Sequence, residues 1–219
     1  MDDKKPAEAI VRYLTEKKLI SSPENMYDGF DEYRDYIYQN YDHGNFYSSI
    51  HPEDERLLYA ISAITGPQNA FVAGSYYGYF AIWAMKNIAE RGGMCILSDI
   101  NRRVCELAKS NFDRLGFKDH SKVYCEEAEK LMAERGEPID LLLLDAVGNW
   151  NDPRPEYRGK QIYVPILRAA SPFLSKGSVI VIHNMRPNYF DRLISLLKSI
   201  NALGICYNSY NGLGVYVIT

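Results

Sequence analysis

The chain has 219 residues, 47% of them hydrophobic, and carries a formal net charge of −3. That is enough for one sizeable domain with a real core, or for a domain with a terminal extension. The weak negative charge and the lack of any Lys/Arg cluster argue against a nucleic-acid partner, and no apolar run reaches the ~18 residues of a membrane span.

Residues 7–20 place Ala9, Ile10, Tyr13 and Leu14 on one helical stripe behind Pro6, and Ser22-Pro23 breaks it. A second, aromatic-rich helix runs from about Pro23 to Tyr41 with Tyr27, Phe30, Tyr33 and Ile37. A loop follows with Gly44-Asn45 as its turn. A third helix spans 52–65, opened by Glu53, Asp54 and Glu55, which suit a helix N-terminus, and Gly66-Pro67 ends it. These residues 1–65 form a helical extension expected to pack on the domain at 66–219.

From residue 69 the period changes. AFVA (70–73) is a strand, Gly74 to Gly78 a glycine turn, and a helix runs to Glu90. MCILSD (94–99), KVYC (122–125), IDLLLLD (139–145) and SVIVIH (178–183) are further strands, each followed by a helical pattern. The helix at 157–174 is expected to bend at Pro165 and stop near Pro172, and the next runs from Asn188 to Ile200. GICYNSY and GVYVIT, split by Asn211-Gly212, read as a closing antiparallel hairpin. The sum is a doubly wound, mostly parallel, Rossmann-like seven-stranded α/β sheet.

The opening MDDKKPAEAI lacks a cationic and apolar secretory signal, so a cytoplasmic location is expected. The four cysteines have no zinc spacing, and Cys95 and Cys125 read as small core residues. The 18 tyrosines either pack element edges or line an aromatic pocket for a small molecule or cation.

Ligands of such sheets sit beyond the carboxyl ends of the strands. Those ends carry Gly74, Asp99, Cys125-Glu126, Asp145 and His183-Asn184. Asp99 can accept both hydroxyls of a ribose, or cap the following helix. Glu126 and Glu127 can receive an adenine amino group, or serve as first-turn acids. GSYYGY holds bulky tyrosines where a pyrophosphate would approach, so a nucleoside with a non-phosphate tail fits better than a dinucleotide.

In these segments the chain resembles class I S-adenosylmethionine-dependent methyltransferases of the catechol / caffeoyl-CoA O-methyltransferase family. AFVAGSYYGYFAIWA is similar to the family's glycine motif, ILSDINRRVCELAKSNFDRLGF to its ribose segment, and IDLLLLDA and SVIVIHN to its fourth and fifth strands. The resemblance implies that Gly74, Ser75 and Tyr79 border the methionine part of the cofactor, with Tyr76 and Gly78 as further cofactor-binding candidates of the same turn. It places Asp99 at the ribose, Glu127 at the adenine edge and Asp145 near the sulfonium. Three positions depart from it. Val72 replaces a glutamate, Gly148 replaces a lysine that is a candidate general base, and a metal set of Asp, Asp and Asn becomes Asp145, His183 and Asn184. Imidazole is less suited to magnesium than to zinc, iron or nickel, so a divalent metal is a weakened expectation. His183 is open to three roles: general base, metal ligand, or structural histidine. Trp150, Tyr157, His43, Tyr41 and Tyr47 either wall an acceptor pocket or pack loops on the sheet edge.

The leading reading is methyl transfer from S-adenosylmethionine to a small-molecule acceptor, at oxygen, in specialised metabolism, with His183 and Asp145 catalytic and a homodimer admitted. Two others stay open. One is a cyclase or lyase that releases methylthioadenosine from the same cofactor. The other is a non-catalytic nucleoside-binding partner.

Overall fold

The computed structural model describes residues 4–21, 25–186 and 190–219. The helix break at Ser22-Pro23 and the expected helix start at Asn188 fall on residues outside that set, whereas residues 25–29 form turns and delay the second helix, expected from Pro23, to Phe30. Three helices lead: α1 (Lys4–Glu16), α2 (Phe30–Asn40) and α3 (Pro52–Thr65). Then β1 (Asn69–Ala73), α4 (Ile82–Glu90), β2 (Met94–Asp99), α5 (Arg102–Arg114), β3 (Ser121–Cys125), α6 (Ala128–Arg135) and β4 (Ile139–Leu144) alternate. After a long loop come α7 (Tyr163–Ala170), β5 (Leu174–His183), α8 (Asp191–Ser199), β6 (Ala202–Tyr207) and β7 (Leu213–Ile218).

The seven strands lie in the order β3-β2-β1-β4-β5-β7-β6. The first five are parallel, and β7 inserts antiparallel between β5 and β6. Strands buried on both faces read as continuous apolar runs, as in IDLLLL, because helices cover both sides. On one face Val72, Leu97, Leu143 and Val181 pack with α1 to α5. On the other, Phe71, Ile96, Leu142 and Ile180 pack with α6, α7 and α8. Alternate residues of one strand thus feed two cores. Phe30, Leu57 and Tyr59 of the leading helices belong to the same core as β1 and β2.

Several expectations change. Pro165 lies in the first turn of α7, where its missing N–H costs no bond, so it starts the helix rather than bending it. Cys95 is buried, but Cys125 is exposed at the end of β3. The acids opening α3 point inward: Glu53 accepts from the Tyr210 N–H at 2.7 Å, and Glu55 accepts from the hydroxyls of Tyr38 and Tyr79 at 2.8 and 3.2 Å.

Candidate functional site

Strand order reverses between β1 and β4, and the Asp145 N–H bonds to the Ala73 carbonyl at 3.0 Å just beyond them. A cavity of about 260 Å³ opens there, at the switch point where open α/β sheets bind ligands. Gly74, Asp99, Glu126, Glu127, Gly148 and Tyr157 are among its lining residues. Gly74 has φ +76°, and a Cβ on it would lie 2.2 Å from the Ala146 Cα. Its glycine is therefore demanded first by the crossing of the chain after β4, and the open cavity side follows from that. A Cβ on Gly78 would meet the Phe112 ring at 2.6 Å, so this second glycine serves packing.

Asp99 accepts from the backbone N–H groups of Tyr76 and Asn101, each at 2.9 Å. Burial raises its pKa, and those bonds oppose the rise. The helix cap itself is Asn101, whose side chain accepts from the Arg103 N–H. Each carboxylate oxygen of Asp99 keeps a lone pair for hydroxyl donors. Around it the wall is acidic: Glu126, Glu127, Glu129 and Asp152 join Asp99, and the one lining arginine, Arg154, is held by Asp152 at 3.0 Å. Such a wall repels phosphate and suits a neutral nucleoside or a cation.

Beside the cavity stands a chain of four charged groups. Lys160 Nζ donates to Asp145 Oδ1 at 2.6 Å and to the Asp145 carbonyl at 3.0 Å. His183 Nδ1 lies 2.9 Å from the same Oδ1, and its Nε2 lies 3.5 Å from Asp54 Oδ2 and 3.3 Å from Asn211 Nδ2. Burial alone would pull His183 down, but Asp145 and Asp54 outweigh it and push the imidazole up to about 9. Burial alone would raise Asp145, yet His183 and Lys160 hold it below the usual carboxylate range. With the imidazole protonated, Asp54, His183, Asp145 and Lys160 sum to zero charge, as burial requires.

Lys160 has no counterpart in the reading of the sequence, because the loop brings it back. Gly148 and Gly159 pair as an antiparallel bridge, with N–H to O distances of 2.9 and 3.2 Å. A Cβ on Gly148 would sit 1.8 Å from the Tyr157 carbonyl oxygen. Position 148 therefore cannot carry a lysine in this loop, and the bridge delivers one from position 160 instead. The signal was the glycine pair. Asp54 and Asn211 were likewise invisible, because α3 and the β6–β7 turn meet only in the fold.

The histidine is wholly buried, with both nitrogens engaged, so in this arrangement it faces no substrate. In this arrangement it lacks the open, substrate-facing nitrogen that a general base uses. Asp145, His183 and Asn184 do stand together at the strand ends. Asp145 Oδ1 already accepts from Lys160 and His183, the protonated imidazole has no lone pair for a metal, and an ammonium lies beside them. These residues do not fit a divalent ion, and among the described residues no group of three His, Cys, Asp or Glu is placed to hold one.

The tyrosines of the turn also need correcting. Tyr77 and Tyr79 are buried, in rings with Tyr41, His43 and Trp83, and the Tyr79 hydroxyl serves Glu55. Ser75 is buried too; Tyr76 is half-exposed. Of the aromatic candidates for an acceptor wall, Tyr157 lines the cavity, Trp150 covers Gly159 while remaining largely exposed, and Tyr47 faces solvent. Tyr41 and His43 pack over the turn, with His43 Nδ1 2.9 Å from the Tyr77 hydroxyl.

A family model described as a methyltransferase domain matches residues 71–185. Among solved structures, an O-methyltransferase from Bacillus cereus in complex with SAH is 17% identical, with 96% of this chain and 97% of that one covered, at a TM-score of 0.61. A methyltransferase from Geobacter sulfurreducens is 18% identical over 95% of each chain, with a TM-score of 0.63. The O-methyltransferase TomG from Streptomyces achromogenes, involved in tomaymycin synthesis and solved with SAM, is 16% identical over 100% of this chain and 99% of its own, with a TM-score of 0.56. No curated protein matches the sequence. At these identities the solved structures establish the fold.

Proposed function

The chain belongs to the methyltransferase-domain family, and on that premise we propose that it moves a methyl group from S-adenosylmethionine to an oxygen of a small acceptor. The observation that carries this is the acidic cavity at the β1/β4 switch point, with Asp99 offering free lone pairs and no unpaired lining cation for a phosphate. Asp99 would hold the ribose and Glu127 the adenine edge, while the acidic wall favours a sulfonium. Bound there, S-adenosylmethionine supplies an electrophilic methyl group.

The remaining work falls to the chain's own side chains. Lys160 and Asp145 are the two members of the charged chain that reach solvent, at 20% and 18% side-chain exposure. Lys160 would hold the acceptor oxygen and stabilise the negative charge it gains on losing its proton. His183 and Asp54, both inaccessible, fix the Asp145 carboxylate, which in turn aims Lys160. Most of the rate would come from holding acceptor and methyl at attack distance. No divalent ion takes part in this reading, because the ammonium already supplies the positive charge. The leading helices, residues 1–65, contribute Asp54 and so belong to the working unit.

The test is calorimetry followed by turnover. S-adenosylmethionine and SAH should bind, NAD should not, and labelled methyl should pass to a member of a panel of small phenols in the presence of EDTA. Methylthioadenosine released without any acceptor would replace methyl transfer by cyclase or lyase chemistry. Tight SAH binding with no product from either assay would favour a non-catalytic partner.

A further inference from the structure

Two cysteines that the proposed reaction does not use lie on adjoining carbonyls beside the cavity wall. Cys125 ends β3, opposite Asp99 in the parallel register with β2. Its Sγ lies 3.6 Å from the Ile100 carbonyl oxygen and is exposed. Cys105 comes from the second turn of α5. Its Sγ lies 3.4 Å from the Asp99 carbonyl oxygen and 3.6 Å from that of Tyr124, the residue before Cys125. Both thiols therefore flank the Asp99–Ile100 peptide, each on the carbonyl oxygen of one of its two residues. Asp99, Ile100 and Glu126, the residues they touch or adjoin, line the cavity.

We propose that Cys105 and Cys125 are a redox modification site, closed to an intramolecular disulfide by small-molecule disulfides of the glutathione class, and that closure weakens ligand binding in the adjoining cavity. Exposure decides the order of events. The Cys125 thiolate attacks glutathione disulfide, forming a mixed disulfide and expelling one glutathione thiolate. Cys105, whose thiol burial pushes up to about 12, is a slow initiator. It needs only to lose its proton and attack the neighbouring Cys125 sulfur, which expels the second glutathione. Two protein thiols are oxidised and one glutathione disulfide is reduced to two thiols. A disulfide fixes the two Cα atoms at roughly 4.4–6.8 Å. Closing it ties the first turns of α5 to the end of β3 and shifts the Asp99–Ile100 segment between them.

The experiment treats the folded full chain with glutathione disulfide, maps peptides without reduction, and measures SAH affinity before oxidation, after it, and after dithiothreitol. The expected result is a Cys105–Cys125 link, an SAH dissociation constant raised roughly three-fold or more, and recovery on reduction. Cys105→Ser should leave a stable glutathione adduct on Cys125, and Cys125→Ser should leave Cys105 unmodified. A wild-type chain that keeps an adduct on Cys125, or acquires none, overturns the pair. A link that leaves SAH affinity unchanged overturns the coupling to the cavity. Reduced protein that fails to bind SAH at all counts against the proposed function instead, and the peptide map still decides the disulfide.

Discussion

In the proposed reaction, Lys160 and His183 would divide the work that a metal ion and a base otherwise share. The ammonium is held on Asp145, next to the cavity-lining Ala146, and the imidazole, flanked by Asp145 and Asp54, fixes that carboxylate. Lys160→Met should lower kcat roughly 100-fold or more while SAH affinity by calorimetry stays near that of the parent. Lys160→Arg, which keeps the charge and the donors, should retain more activity than Lys160→Met. Asp54 is more than a helix cap. Its Oδ2 accepts from the His51 N–H at 2.8 Å, yet its Oδ1 is buried without a partner. Asp54→Asn keeps an oxygen for that N–H but removes the charge facing His183. It should cost roughly 3 kcal/mol in urea denaturation, as breaking one side of a buried ion pair does. In a double-mutant cycle with His183→Gln the two losses in kcat should be strongly non-additive, because both act on Asp145. Additive losses would assign Asp54 to capping alone.

At the scale of elements, the proposed chemistry depends on the loop between β4 and α7. Its Gly148–Gly159 bridge folds the chain back so that residue 160 returns to residue 145. Gly148→Ala places a methyl against the Tyr157 carbonyl and should open the bridge. The expected outcome is a modest fall in melting temperature with a loss of turnover approaching that of Lys160→Met. Gly74→Ala is more severe, since its Cβ would strike the backbone of Ala146 at φ +76°. It should prevent accumulation of folded protein, read as loss of the cooperative melting transition. The strands, the helices and the glycine turn were legible because apolar runs, 3.6-residue stripes and breakers are local signals. The turn's purpose was not, because what a glycine accommodates lies on another strand.

At the scale of the whole molecule, the leading helices are tied to the sheet through buried acids, and this predicts a pH response. Burial pushes Glu55 up to about 7 against the opposing bonds from Tyr38 and Tyr79. A carboxyl raised in the folded state contributes stability that is present below its unfolded value of about 4.5 and lost as pH rises through about 7. The loss amounts to about 3 kcal/mol. Between pH 5 and 8 the parent chain should therefore lose roughly 5–10 °C of melting temperature relative to Glu55→Gln in differential scanning fluorimetry. His183 acts in the same direction in a higher window: its stabilisation is complete below about 6.5 and lost as pH rises through about 9. Asp145, held low, acts oppositely, its stabilisation fading only in acid below the usual carboxylate range.

Local pattern in the chain was enough for the α/β alternation and the parallel sheet with its closing hairpin, and it pointed to the strand ends, with Asp99 and Asp145, as the candidate site. Each of these follows from short-range pattern, the two- and 3.6-residue periods together with the residue that ends each strand. Packing alone set which cation stands beside Asp145, that His183 is buried between two carboxylates, and that Cys105 and Cys125 flank one peptide. Those are contacts between segments far apart in the chain. Their distances are set by how helices and loops pack across the sheet, and the strand ends alone do not encode them.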